Sequence, residues 1–116
     1  MRAYLVLPDD QSISEINVLP NVEVIEFLLG GEVGILEIIV INDQGDCLCF
    51  DKEPGMFGEY ADGFGLKIGD KGVFARVPSK GLIIGSPLSG KIIPATISLD
   101  DLKGRVFWLP SQEVDI

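Results

Sequence analysis

The fold is decided by residues 34–51, which read Gly-Ile-Leu-Glu-Ile-Ile-Val-Ile-Asn-Asp-Gln-Gly-Asp-Cys-Leu-Cys-Phe-Asp. Residues 34–41 are apolar at nearly every position, a pattern typical of a central strand covered on both faces. Residues 42–45 predict a hairpin turn, because Gly45 tolerates a positive φ. Residues 46–51 are then predicted to return as the partner strand. The stretch therefore predicts an antiparallel hairpin near the middle of the chain.

The segment before this hairpin predicts two more strands and the main helix. Residues 2–7 are predicted to be a strand, followed by a turn at Pro8. The loose alternation of Ile13, Ile16 and Val18 predicts a second strand, closed by Leu19-Pro20. Residues 21–29 predict a short helix. Asn21 is a suitable N-cap, and Gly30 follows where a helix commonly stops.

The segment after the hairpin predicts an irregular loop and then several short strands. Residues 53–65 hold four glycines and a proline and are predicted to be the main loop. Ser98 and Asp101 form a capping pattern that predicts one helical turn over residues 99–103, stopped by Gly104. The predicted strands after the loop are Leu66–Ile68, Gly72–Val77, Gly81–Gly85, Lys91–Ile97 and Arg105–Leu109.

Length and composition indicate one small folded domain spanning residues 1–116. The hydrophobic content of 47% is too high for a disordered chain, and 116 residues suffice for one core. The order of elements predicts a β-rich α+β fold. We expect a twisted antiparallel or mixed sheet, or a half-open barrel, with one short helix.

The chain contains no histidine, which removes many catalytic sites. A Ser-His-Asp or Cys-His nucleophile, a zinc site with histidine ligands and a histidine proton shuttle are all impossible. We predict no catalytic residues, no cofactor and no metal site. The sequence therefore favours binding over catalysis.

The net charge of −9 is unevenly distributed. Residues 1–62 carry 13 acidic and two basic residues, whereas residues 63–116 carry five acidic and seven basic ones. This asymmetry indicates an acidic surface that serves either solubility or a basic protein partner. The predicted acidic contact residues are Asp43, Asp46, Asp51, Glu53, Glu59 and Asp62.

Basic and aromatic residues alternate in the second half of the chain, which is the pattern of a phosphate-binding strip. The alternative is a set of solvated strand edges, where lysine prevents unwanted strand pairing. Because the net charge opposes direct nucleic-acid binding, a nucleotide or another small anion is the better ligand. The predicted ligand residues are Phe64, Lys67, Lys71, Arg76 and Lys91, with Phe74 interleaved.

Two further motifs have structural interpretations. Residues 85–91 match the phosphate-loop pattern G-x-x-x-x-G-K, but Ile92 replaces the required hydroxyl and Pro94 opposes a following helix. This segment is predicted to be a turn. Cys47 and Cys49 lack the further soft ligands that a metal requires, so they are predicted to be buried, inert thiols.

The order of several short motifs resembles a family of small uncharacterised domains carried mainly by phages and mobile elements. The motifs are Leu7-Pro8-Asp9, Leu29-Gly30-Gly31, Cys49-Phe50-Asp51-Lys52-Glu53 and Leu82-Ile83-Ile84-Gly85-Ser86-Pro87. The resemblance covers residues 3–88, whereas residues 90–116 depart from it. It implies a phage or mobile-element setting but no activity and no functional residues.

These observations lead to one expected function and two alternatives. We expect a non-enzymatic acidic protein that inhibits a host defence protein or nuclease through its negative surface. The alternatives are a protein that sequesters a small nucleotide or anion, and a virion structural or assembly protein that forms homo-oligomers. No targeting or membrane-spanning segment is visible in the sequence, so we expect the host cytoplasm and no membrane partner.

Overall fold

Eight strands and two helices form the part of the chain that the computed structural model describes, residues 1–30, 36–51, 63–70, 72–85 and 92–109. In chain order they are β1 (Arg2–Leu7), β2 (Ser12–Asn17), α1 (Val22–Leu29), β3 (Leu36–Val40), β4 (Cys47–Asp51), β5 (Gly63–Ile68), β6 (Val73–Val77), β7 (Gly81–Ile84), α2 (Leu99–Arg105) and β8 (Val106–Leu109).

The strands form two antiparallel sheets rather than one. The five-stranded sheet has the order β2-β1-β7-β4-β3, and the three-stranded sheet has the order β6-β5-β8. The predicted β-rich fold is confirmed. The sheets do not close into a barrel, and α2 is a second helix beyond the single short one in the predicted fold class.

The five-stranded sheet is the middle layer of three. Successive side chains along each strand point to opposite faces of this sheet. Leu48 and Ile83 face the three-stranded sheet and lie in one buried cluster with Phe64 and Leu66. The residues of opposite parity lie in a second buried cluster, where α1 contributes Ile25 and Leu29. The layers are therefore α1, then the five-stranded sheet, then the three-stranded sheet. Their outer surfaces lie on opposite sides of the molecule.

The apolar strand of the hairpin is an edge strand, so the prediction of a central strand is wrong. In the described sheet β3 pairs with β4 and ends the strand order. As a result Ile38 is 50% exposed and Val40 is 40% exposed. A run of apolar residues indicates a strand, but the position of that strand depends on pairings with distant residues.

Residues 92–98, here called the strap, form no strand, so the predicted strand Lys91–Ile97 is wrong over its described residues. The strap crosses the end of the core and bonds to β1. The Ala95 amide donates to the carbonyl of Arg2 at 3.1 Å, and the Tyr4 hydroxyl donates to the carbonyl of Ile97 at 2.7 Å. Pro94 lacks an amide hydrogen, which prevents a continuous strand ladder through the strap.

Two elements extend beyond their predicted bounds. β5 begins at Gly63, so the last residues of the predicted loop belong to a strand. α2 begins as predicted, since the Ser98 side chain accepts from the Asp101 amide, but it continues through Gly104 to Arg105. Arg105 Nε pairs with Asp101 Oδ1 at 3.2 Å, one helical turn earlier, which supports the longer helix.

Candidate functional site

The outer surface of the three-stranded sheet carries both aromatic and basic side chains. Side chains alternate between the two faces of a strand, so Leu66 on β5 and Ala75 on β6 point into the core. The residues next to them along each strand point to the outer surface. Phe74 is 60% exposed and Phe107 is 40% exposed. We call this surface the cationic–aromatic face and define it by Lys67, Phe74, Arg76 and Phe107.

The two exposed rings of the cationic–aromatic face meet across the middle strand. Their centroids lie 5.2 Å apart with an angle of 86° between the planes, an edge-to-face geometry. Phe107 is paired with Gly65 on β5, and Phe74 lies one strand further, on β6. A Cβ atom at Gly65 would lie 2.1 Å from Cζ of Phe107. The absence of a side chain at position 65 therefore allows Phe107 to reach Phe74.

The predicted ligand strip is only partly assembled. Lys67 and Arg76 are on the cationic–aromatic face, but Phe64 is fully buried against Trp108, with ring centroids 6.3 Å apart. The prediction for Phe64 is wrong because this residue shares strand parity with apolar core residues. Lys71 and Lys91 lie outside the described residues.

Phe107 is the functional candidate that sequence reasoning missed. Phe107 alternates with Trp108 along β8, so the two side chains lie on opposite faces: Trp108 is half-buried and Phe107 is exposed. Only the pairing of β5 with both β6 and β8 places Phe107 near Phe74. No local signal connects residues so far apart in the chain.

The predicted acidic contact residues do not form a shared surface in the described structure. Asp43 is exposed in the β3–β4 turn, whereas Asp51 ends β4 at the opposite end of the hairpin. Asp46 is fully buried, so it cannot contact a partner, and its assignment to the acidic surface is wrong. The remaining predicted residues, Glu53, Glu59 and Asp62, lie outside the described residues.

Asp46 instead holds the strap against the hairpin. Its carboxylate accepts hydrogen bonds from the Thr96 amide at 2.7 Å, the Thr96 hydroxyl at 2.7 Å and the Ile97 amide at 2.9 Å. The Asn42 side chain also donates to it at 2.8 Å. A buried carboxylate is tolerated when its oxygens are satisfied in this way. Asp46 is therefore a structural residue.

The pKa of Asp46 is lowered despite its burial. Burial by itself raises the pKa of this carboxyl, because the charged form loses its hydration. The hydrogen bonds from Asn42, Thr96 and Ile97 favour the ionised form and outweigh that effect. Asp46 consequently remains charged inside the folded protein.

The exposed side of α1 is a second candidate surface. At roughly 100° per residue, Phe27 points about 180° away from the midpoint of the buried Ile25 and Leu29. It is 75% exposed. Val22 is also 56% exposed, but it is the first residue of α1 and lies on the same side of the helix axis as Ile25 and Leu29. We define the α1 surface by Glu23, Glu26 and Phe27.

The acidic and basic residues, which are unevenly distributed along the sequence, are also unevenly distributed between the two sheets. The strands of the three-stranded sheet carry Lys67 and Arg76 and no carboxylate. The five-stranded sheet and α1 carry one basic residue, Arg2, in their described elements. The acidic residues of the same elements are Glu15, Glu23, Glu26, Glu37 and Asp51.

A surface cleft of about 550 Å³ lies between the β3–β4 turn and α2. Its acidic lining residues are Asp43, Asp70 and Asp101, and its cation is Arg105. Arg105 Nη1 donates to the carbonyl of Gly69 at 3.1 Å, while Nε pairs with Asp101. Arg105 is thus held by the protein itself. Among the described residues no group of three or more His, Cys, Asp or Glu side chains could hold a metal ion.

The structure describes the two cysteines and only part of the phosphate-loop pattern. Cys47 and Cys49 are buried free thiols, as predicted, and burial raises the pKa of Cys49 to about 12. Such a thiol is not a nucleophile at neutral pH. In the phosphate-loop pattern, residues 86–91 lie outside the described residues.

Comparisons with known proteins gave no relatives: no family model, no curated protein and no solved structure matches this chain. No helix in the described ranges is long and apolar enough to cross a membrane. The function must therefore be inferred from the two exposed surfaces and their charges.

Proposed function

We propose that the protein is a non-catalytic binding protein whose α1 surface docks onto a basic surface of another protein. The observation that carries this proposal is Phe27, an aromatic side chain 75% exposed at the position of the helix furthest from the core. An amphipathic helix normally places a polar residue there. Burying such a ring against a partner is the usual energetic centre of a protein interface.

The charges around Phe27 define the partner that fits. Glu23 lies one turn before Phe27 on the same side of α1, and Glu26 lies between Glu23 and Val22 around the helix axis. The last turn of α1 contains no basic residue. A partner with an apolar pocket surrounded by Lys or Arg would complement this surface. Electrostatic attraction would accelerate its association.

The resemblance to phage-carried domains suggests where to search for the partner. Under this proposal a host defence protein or a nuclease is the first class to test, because such proteins often present basic surfaces for nucleic acid. The protein would then act as an inhibitor by occupying that surface.

Replacing Phe27 with alanine is expected to weaken partner binding by about tenfold or more, the loss typical of a central interface aromatic. Proteins captured with the wild-type chain from host extract would be purified, and their Kd measured for wild type, Phe27→Ala, Glu23→Lys and Phe107→Ala. Glu23→Lys should also weaken binding, and added salt should raise the Kd. Phe107→Ala is the matched control, since it removes an exposed ring on the opposite side of the molecule.

A purified partner that binds Phe27→Ala as tightly as wild type would contradict the proposal. So would a Kd that does not change with salt concentration. A catalytic activity of the protein toward its partner would show that the protein is an enzyme and would also contradict the proposal.

The β3 edge favours a second candidate, self-association in an assembly. Ile38 and Val40 are exposed apolar residues on the edge strand of the described sheet, and exposed apolar edge strands readily pair with other strands. If this edge pairs, light scattering should show an oligomer that grows with concentration and is lost in Ile38→Lys. Val73→Lys changes a similarly exposed residue, 55%, on the other sheet and should have no effect. A wild-type chain that remains monomeric at high concentration would eliminate this candidate.

A further inference from the structure

We propose that the cationic–aromatic face binds a mononucleotide, with the base against Phe74 and Phe107 and the phosphate at Lys67 and Arg76. This proposal is independent of the α1 surface, which lies on the opposite side of the five-stranded sheet. It assigns a small-molecule ligand to a protein whose other surface is proposed to bind a protein.

The ring geometry fits a planar base. The planes of Phe74 and Phe107 are 86° apart, so the two rings form a right-angled corner that is open to solvent. A base stacked on one ring would present its edge to the other ring. Both offset stacking and edge-to-face contact are favourable aromatic geometries. Gly65 keeps the corner open, because any side chain there would displace Phe107.

The strand register places the cations beside the rings. Lys67 is directly opposite Phe74, and Arg76 is directly opposite Gly65, which is itself opposite Phe107. Facing residues on neighbouring strands have Cα atoms about 4.5–5.5 Å apart. The side chains of Lys67 and Arg76 therefore leave the backbone beside the aromatic corner. Their ammonium and guanidinium groups can donate hydrogen bonds to phosphate oxygens.

The charge balance favours one nucleotide over a nucleic-acid strand. Two cations match the charge of about −2 that a phosphate monoester carries near neutral pH. The chain as a whole has a net charge of −9, so it repels each additional phosphate of a nucleic acid. The three β-strands carry no further cation that would offset this repulsion.

The test is a titration of the ¹⁵N-labelled protein with AMP, GMP, CMP and UMP, observed by NMR. At least one nucleotide should shift the amide signals of residues 63–68, 73–77 and 106–109 at millimolar concentration or below. Ribose 5-phosphate lacks the base and the corresponding nucleoside lacks the phosphate, so each should bind more weakly than the complete nucleotide.

Variants separate the base contact from the phosphate contact. Phe107→Ala should lower nucleotide affinity by about tenfold. Gly65→Ala should act in the same direction, because its Cβ would displace the Phe107 ring while leaving the ring itself in the protein. Phe27→Ala, which removes an exposed ring on the other side, should bind nucleotides like wild type.

The charge variants provide a second test if either aromatic-site variant fails to fold. Arg76→Gln and Lys67→Gln should weaken nucleotide binding but leave binding of the uncharged nucleoside unchanged. Lys103→Gln on α2 is the matched control and should have no effect. Circular dichroism would verify that each variant is folded.

The proposal is overturned if no nucleotide shifts the signals of these three strands. It is also overturned if Phe107→Ala and Phe27→Ala change affinity equally. A short oligothymidylate that binds more than about tenfold tighter than the mononucleotides would assign the face to single-stranded nucleic acid instead.

Discussion

Replacing Asp46 with alanine is expected to lower the free energy of unfolding by about 3–5 kcal/mol, because charged hydrogen bonds are lost and buried donors are left unsatisfied. The Asp46 carboxylate accepts from both the Thr96 and Ile97 amides and connects the β3–β4 hairpin to the strap, residues 92–98. Without it, neither amide has this acceptor, and the strap loses its attachment to the hairpin.

Urea denaturation would measure this loss, and hydrogen exchange would locate it. The Thr96 and Ile97 amides should exchange much faster in Asp46→Ala than in the wild type. Asp43→Ala is the matched control, since Asp43 is an exposed carboxylate in the same turn and should change stability by less than about 0.5 kcal/mol. Equal stabilities for the two variants would contradict a structural role for Asp46.

The same carboxylate predicts an acid-sensitive fold. The pKa of Asp46 in the folded protein is below its ordinary value of 3.8. Its contribution to stability is therefore complete above pH ~5 and is lost as the pH falls through the folded-state pKa. Asp46→Asn should be less stable than wild type at neutral pH, and the difference should shrink toward pH ~2. A difference that is constant with pH would contradict this assignment.

Two glycine-to-alanine changes are expected to have opposite effects on stability. In Gly85→Ala the new Cβ would lie 2.3 Å from the Pro94 carbonyl oxygen, so the backbone of the strap must move. This overpacking should destabilise the fold by about 1–3 kcal/mol. Gly104 lies within α2 with no atom within 4 Å of a new Cβ, so Gly104→Ala should stabilise the fold by about 0.5–1 kcal/mol.

Thermal and urea denaturation of both variants would check this pair, each variant serving as the control for the other. The chemical change is identical, so a difference in sign must come from the surroundings. If Gly85→Ala were as stable as wild type, the close contact between β7 and the strap would not constrain the fold.

The two proposed binding surfaces can be tested separately because they lie on opposite outer layers. The helix α1 packs on one side of the five-stranded sheet, and the α1 surface is the exposed side of that helix. The cationic–aromatic face is the outer side of the three-stranded sheet, which packs on the other side. Phe27→Ala and Phe107→Ala should therefore each weaken one kind of binding and preserve the other. Loss of both in either variant would indicate a folding defect, and circular dichroism would detect it.

Local elements were predictable because their determinants lie within a few residues of one another. The Asn21 cap of α1, the Ser98 cap of α2 and the turn at Gly45 are all contacts of short sequence separation. The opposite faces of Cys49 and Leu48 follow from strand alternation alone. The roles of Asp46 and Phe107 could not be predicted, because their partners are about 50 and about 30 residues away in the chain.

The sequence by itself determined which segments form the hairpin and the helices, where the apolar residues alternate, and that histidine chemistry is impossible. Only the tertiary structure decided that β3 is an edge strand, that Asp46 is buried and that Phe107 meets Phe74. The physical reason is the range of the interactions. Caps, turns and alternation depend on neighbouring residues, whereas strand order and burial minimise the exposed apolar surface of the whole chain at once.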